Sequence, residues 1–117
     1  MTHSKNKLLH DYEQFVESTQ QFPKTQGADA NNYLVAGIAS EVGEIAGVWK
    51  RVLRGDSHMY DFAFQTRLLD ELGDVLWYIT SLSLENGSTL EDIIGRNMTK
   101  LSARLADNTI KGEGDDR

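Results

Sequence analysis

Ser40-Glu41-Val42-Gly43-Glu44-Ile45 and, after a polar interval, Leu68-Leu69-Asp70-Glu71-Leu72-Gly73-Asp74-Val75-Leu76-Trp77-Tyr78 decide the reading of this chain. In both stretches, apolar residues recur every three to four positions, the period of one helix face. The first stretch belongs to a stripe of Leu34, Ile38, Ile45, Val48 and Val52, and the second to a stripe of Leu68, Leu72, Val75, Ile79 and Leu82. Glu41 lies three residues after Ile38 and four before Ile45, and Glu71 holds the same place between Leu68 and Val75. Both glutamates therefore point into an apolar seam. Glu44 and Asp74 follow them at i+3, adjacent on the same helix surface.

Around these two helices the chain reads as helical throughout. Leu9, Tyr12, Phe15 and Val16 predict a first helix from about Leu8 to Gln21, ended by Phe22-Pro23-Lys24, with Thr25 to Ala30 as loop. The second helix is expected to start after Asn31 or Asn32, both acceptable N-caps, and to run to about Arg54, with Gly55 as its stop. Lys50, Arg51 and Arg54 suit the negative end of its dipole. The third is expected from about Asp61 to Asn86, with Gly87 as stop. Ser88-Thr89-Leu90-Glu91 has a capping-box pattern and opens the fourth, which continues through Ile94, Leu101 and Leu105. No segment alternates with the period of a strand. The expected fold class is all-α, an antiparallel four-helix bundle, with residues 1–117 as one domain and about 109–117 as a flexible tail. Several faces are too apolar for a lone small bundle, so assembly as a homodimer or homotetramer is expected.

Composition narrows the function. The 117 residues carry a net charge of −6 and no cysteine. Disulfides, thiolate metal sites and a cysteine nucleophile are excluded. A broad basic surface for a nucleic acid polymer is not expected. No run has the roughly 20 apolar residues of a membrane span, and Met1 to Lys7 lacks a signal peptide's apolar core. The expected location is the cytoplasm of a bacterial cell or of a phage-infected host.

Two carboxylate pairs facing one seam are costly unless a positive charge offsets them. No lysine or arginine lies inside either pair. A hard divalent cation with all-oxygen ligation, Mg2+ with Mn2+ as a substitute, resolves the conflict. The competing reading is a solvated acidic face, the ordinary state of an isolated i, i+3 acid pair. A di-iron bundle needs Glu-x-x-His elements, and His3, His10 and His58 are not placed to form them.

Glu41-Val42-Gly43-Glu44 followed by Asp70-Glu71-Leu72-Gly73-Asp74 resembles the two-part acidic signature of the MazG-like all-α nucleoside triphosphate pyrophosphohydrolases, Glu-x-x-Glu and then Glu-x-x-Asp. Asn97, Lys100, Leu101 and Arg104 resemble that family's Asn-x-x-Lys-Leu-x-x-Arg element, and Lys111 to Arg117 is similar to the ending of a short, phage-type branch. The resemblance covers roughly Asn32 to Arg117. The acid that often precedes the first glutamate is Ser40 here, so no ligand is expected there.

The resemblance implies Mg2+-dependent hydrolysis of a nucleoside or deoxynucleoside triphosphate to the monophosphate and pyrophosphate, in control of the nucleotide pool. It implies Glu41, Glu44, Glu71 and Asp74 as metal-holding and catalytic residues, with Glu44 as proton acceptor. Asn97, Lys100 and Arg104 would contact phosphate; the competing reading of the last two is an exposed basic face. Tyr78, at i+4 from Asp74, shares the acid face and would line the sugar or base pocket. Trp77 lies on another face, as core or interface, and Trp49 either stacks a base or fills an interface. The tail either folds over phosphates through Lys111 and Arg117 or stays disordered. A guanosine alarmone as substrate, or a non-catalytic metal-binding interaction module, are the alternatives.

Overall fold

A computed structural model describes residues 6–22 and 27–115. Four helices account for the regular structure of the described residues: α1 (Lys7–Thr19), α2 (Gly27–Arg54), α3 (Phe62–Glu85) and α4 (Leu90–Ala106). The all-α class expected from the sequence is the one observed.

The helix ends follow from local chemistry. The Asn6 side chain accepts the Leu9 N–H to cap α1. At the end of α2, Gly55 has φ of 91°. Its N–H bonds the Val52 carbonyl and the Asp56 N–H the Arg51 carbonyl, the paired bonds of a left-handed helix stop that favours glycine. Gly87 ends α3 identically, with φ of 76° and bonds from Gly87 to Leu84 and from Ser88 to Ser83. Asn108 takes the same left-handed position after α4, with φ of 56°.

Three boundaries differ from the sequence reading, the first being the end of α1, which stops at Thr19 and not at Gln21. Helix α2 begins at Gly27, so residues read as loop are its first turn and Asn31 and Asn32 are interior. Asp29 in that turn suits the positive end of the dipole, and Ala30 is fully buried. Asn31 uses its amide elsewhere: its Oδ1 accepts from Asn86 Nδ2 at 2.6 Å, joining the start of α2 to the end of α3. The cap of α4 is Thr89, one residue later than the capping-box reading, and its hydroxyl accepts the Asp92 N–H. Pro23 and Lys24, read as a helix stop, lie outside the described residues.

Helices α2 and α3 form an antiparallel hairpin. Asn31 meets Asn86, Tyr33 meets Tyr78, and Trp49 meets Phe64. The buried cluster of Phe22, Ala30 and Leu34, with Trp77, Tyr78 and Leu82 against it, fills the end remote from the α2–α3 turn. Helix α1 crosses the C-terminal half of α3, where Gln20 Nε2 donates to Ser81 Oγ at 2.7 Å and Trp77 Nε1 to Thr19 Oγ1 at 2.8 Å. Small residues of α3 permit this approach, since Thr80, Ser81 and Ser83 are all buried. Helix α4 packs on α1 and α3 but not on α2.

The arrangement is open. Its radius of gyration is 17.2 Å, against roughly 13 Å for a compact domain of this length. Large apolar residues stay uncovered, among them Phe62 at 84%, Leu69 at 66% and Leu53 at 72% exposure.

Glu13 ties α1 to α4. It is buried, and its Oε1 accepts the Glu91 N–H at 3.1 Å, in the first turn of α4. A carboxylate there satisfies an amide that the helix leaves without an internal partner and meets the positive end of the dipole. Glu13→Ala is expected to cost about 1.5–3 kcal/mol, the range for a hydrogen bond to a charged group. Glu13→Gln, which keeps an acceptor, should cost less. Urea unfolding measures both; an Ala variant with the parent's midpoint contradicts this role.

Candidate active site

Antiparallel pairing of α2 with α3 brings the two acidic motifs level. One carboxylate oxygen from each of Glu41, Glu71 and Asp74 lies within 4.8 Å of the others. Glu41 and Glu71 are partly buried, with the Glu71 side chain 14% exposed, and Asp74 is open to solvent. The cluster sits between two apolar regions. On one side are Leu34, Trp77 and Tyr78 of the core cluster. On the other is a hollow of about 590 Å³ near the α2–α3 turn, lined by Ile45, Trp49, Phe64 and Leu68 among others. Ile45 is one turn beyond Glu41 and Leu68 one turn before Glu71.

These surroundings act on the acids. The Glu41 carboxyl is raised above its ordinary range, first by desolvation, then by a hydrogen bond with Glu71, and then by the charges of Asp74, Glu71 and Glu44. Positive charge among the described residues offers little relief: Arg67 Nε reaches Glu71 Oε1 only at 4.0 Å, and its side chain is 53% exposed.

The donor set fits a hard cation. Oxygens bound to one octahedral Mg2+ at about 2.05 Å are roughly 2.9 Å apart when adjacent and about 4.1 Å when opposite. The three oxygens lie within 4.8 Å of one another, close enough for one cation to draw them toward that geometry. Glu44 is not among the three. It is exposed, although its charge is still felt at Glu41.

A cleft of about 300 Å³ adjoins the acids, lined by Glu41, Asp74, Trp77 and Tyr78. Tyr78 is in the place its spacing from Asp74 implied. Trp77, read as core or interface, packs on the core and also borders the cleft. Trp49 is exposed and lies 6.1 Å from the Phe64 ring in the apolar hollow.

Three residues of this region were not singled out in the sequence. Gly37 lies one turn before Glu41, and the Tyr78 ring rests on it so closely that a Cβ there would overlap the ring. Tyr33 approaches Tyr78 with ring centroids 6.3 Å apart. The Tyr78 phenol is raised above its usual range by burial, then by hydrogen bonding to Tyr33, then by nearby charges including Glu41 and Asp74. It remains a donor at neutral pH. Tyr12 of α1 is raised as well, by burial and by the charge of Asp74. A glycine on the acid face at i−4 from Glu41 was the available signal for the first. Tyr12 gave none, being one member of an apolar stripe.

The basic residues of α4 form a separate group. Lys100 and Arg104 both bind Asp115 of the returning chain. Asn97 and Lys111 are exposed, and Arg117 lies outside the described residues.

The model of the MazG nucleotide pyrophosphohydrolase domain matches residues 30–107. The chain belongs to the MazG family. Both acidic motifs and the Asn97–Arg104 element of this MazG protein fall inside the match, and its tail falls outside. It is also similar to the Gene 37 protein of Mycobacterium phage L5, with 35% identity over 86 residues, 74% of this chain and 75% of that protein. No solved structure matches it. No helix among the described residues is long and apolar enough to cross a membrane.

Glu41 gives a pH-dependent prediction. Its folded-state pKa is raised, so the native state holds more protons than the unfolded state within the carboxylate range. Stability without metal therefore falls as pH rises from the ordinary glutamate pKa through the raised one. Glu41→Gln removes that loss. Its melting temperature in EDTA at pH 7 should exceed the parent's by a few degrees, about 1 kcal/mol being worth roughly 4 °C in a domain of this size. The gain should vanish near pH 3. A variant that melts lower at pH 7 would show that the Glu41 charge stabilises the seam.

Proposed function

We propose that this MazG protein hydrolyses a nucleoside or deoxynucleoside triphosphate to the monophosphate and pyrophosphate, with Mg2+, or Mn2+ in its place, held by Glu41, Glu71 and Asp74. The observation that carries the reading is the convergence of those three carboxylates within 4.8 Å on two facing helices, where their mutual repulsion has no full counter-charge. Bound Mg2+ supplies Lewis-acid polarisation of the phosphate oxygens and eases deprotonation of the attacking water.

The chain's own residues do the rest. Glu41, Glu71 and Asp74 would hold the cation that draws the phosphate end of the substrate to the seam. Glu44, at i+3 from Glu41 and open to solvent, is assigned to accept the proton of the attacking water or to turn inward as a fourth ligand. Tyr78, braced on Gly37, offers its ring to the sugar or base and its hydroxyl as a donor. Lys100 and Arg104, with Asn97 one turn before, engage phosphate oxygens through charge-assisted hydrogen bonds. Lys111 and Arg117 are further candidates for that contact. Self-association as a homodimer or homotetramer belongs to the same proposal, because the exposed apolar faces of α2 and α3 exceed what one chain covers.

Pyrophosphate release with millimolar Mg2+, measured over the common ribo- and deoxyribonucleoside triphosphates and a guanosine alarmone, tests the activity. At least one triphosphate should yield monophosphate and pyrophosphate in equal amounts. Glu71→Gln should lower that turnover by about a hundredfold or more, while Glu85→Gln, far along α3, leaves it unchanged. Absence of release from every triphosphate contradicts the proposed reaction, and parental turnover in Glu71→Gln contradicts the proposed site. Sedimentation at micromolar concentration should find no monomer; a fully active monomer contradicts the assembly.

A further inference from the structure

Beyond α4 the chain turns back on itself. The Thr109 N–H bonds the Arg104 carbonyl at 2.8 Å and the Asn108 N–H bonds the Leu105 carbonyl, which reverses the path at Asn108. Gly112 and Gly114, with φ of 146° and 79°, allow the return. The tail thereby delivers Asp115 to the side of α4 that carries Lys100 and Arg104, one turn apart. Asp115 Oδ1 accepts from Lys100 Nζ at 3.2 Å and from Arg104 Nη2 at 3.1 Å. The Asp115 carbonyl accepts from the same Nη2 at 3.1 Å.

Two features make this group unlike an ordinary surface ion pair. The first is its asymmetry. The Arg104 side chain is 6% exposed while that of Asp115 is 81% exposed, so a built-in, buried cation is covered by a carboxylate that can leave with little change in its own solvation. The second is an unmet donor. Arg104 Nε is buried and has no hydrogen-bond partner among the described residues. Both tail oxygens fall on Nη2, and the guanidinium fork is used on one prong only. A phosphoryl group presents several oxygens and can take Nε and Nη2 together, the geometry that makes arginine a phosphate ligand.

We propose that Lys100 and Arg104 form a polyphosphate-binding site that Asp115 of the chain's own tail fills in the free protein, and that the phosphate chain of a nucleotide, or pyrophosphate, enters it by displacing that tail. Hydrogen bonds from Lys100 and Arg104 hold the Asp115 carboxyl below its usual range, so the tail competes as an anion at any neutral pH. Only the Arg104 side of this pair is buried, and a more highly charged ligand with more acceptors can outcompete a single exposed carboxylate for it. The inference rests on the proposed phosphate role of α4 and adds that the site is self-occupied.

Calorimetric titration with pyrophosphate in EDTA tests it on the full chain, since without metal the acid seam only repels this probe. Asp115→Asn should bind pyrophosphate roughly two- to fivefold more tightly than the parent, and Lys100→Gln about tenfold more weakly. Trypsin gives a second readout at Lys111, which lies in the returning segment. Saturating pyrophosphate should speed cleavage there in the parent, and Asp115→Asn should be cleaved at the fast rate without it. Weakened binding by Lys100→Gln with no gain in Asp115→Asn overturns the exchange and leaves the phosphate role of α4 standing. Protection of Lys111 by pyrophosphate also overturns the exchange, since the tail would then close over its ligand. Unchanged affinity in Lys100→Gln overturns the phosphate role itself, and the exchange with it.

Discussion

Repulsion among Glu41, Glu71 and Asp74, three acids with oxygens within 4.8 Å of one another, is the constraint on which the arrangement turns. Apolar contact on both sides of the seam holds α2 against α3, and this contact keeps the carboxylates together despite their charge. Hydrophobic burial is non-directional and large, about 25 cal/mol per Å² of apolar surface. It can therefore hold an electrostatically unfavourable cluster in place, as local frustration at functional sites requires. The raised Glu41 carboxyl expresses that conflict, with desolvation and a hydrogen bond to Glu71 as its leading causes.

The remainder of the fold serves this hairpin unevenly. Helix α1 covers the C-terminal half of α3, brings Tyr12 under the influence of Asp74 and anchors α4 through Glu13. Helix α4 then leaves α2 untouched and carries its own charged group, Lys100, Arg104 and Asp115. Acidic and basic elements are thus built separately. The first is fixed by pairing of two long helices, the second by a glycine-dependent return of the chain. A phosphate-bearing substrate with its metal is the chemical species that both would recognise.

Much of this was legible in the sequence, for identifiable reasons. Apolar periodicity placed the helices, and Gly55 and Gly87 marked two ends because left-handed φ suits glycine. Glu41 and Glu71 were readable because an acid inside an apolar stripe can be located from spacing alone, and Asp74 as the i+3 neighbour of Glu71. The start of α2 was misplaced because Asn31 and Asn32 look like caps, whereas Asn31 bonds across to Asn86. Glu44 stands in the same i+3 relation to Glu41 as Asp74 to Glu71 and is likewise exposed, but it lies outside the cluster of three acids. The packing of Tyr78 on Gly37 and the bond from Arg104 to Asp115 depend on tertiary approach, which no local pattern encodes.

The central claim, that the carboxylate seam is a cation site, is tested most directly by crystals grown with Mn2+ and a non-hydrolysable nucleoside triphosphate analogue, measured near the manganese absorption edge. The account predicts an anomalous peak within about 2.0–2.4 Å of oxygens from Glu41, Glu71 and Asp74, the distance of direct oxygen ligation, with the analogue's phosphates on its open side. A nucleotide bound with manganese elsewhere, and no anomalous density between these three residues, would contradict it.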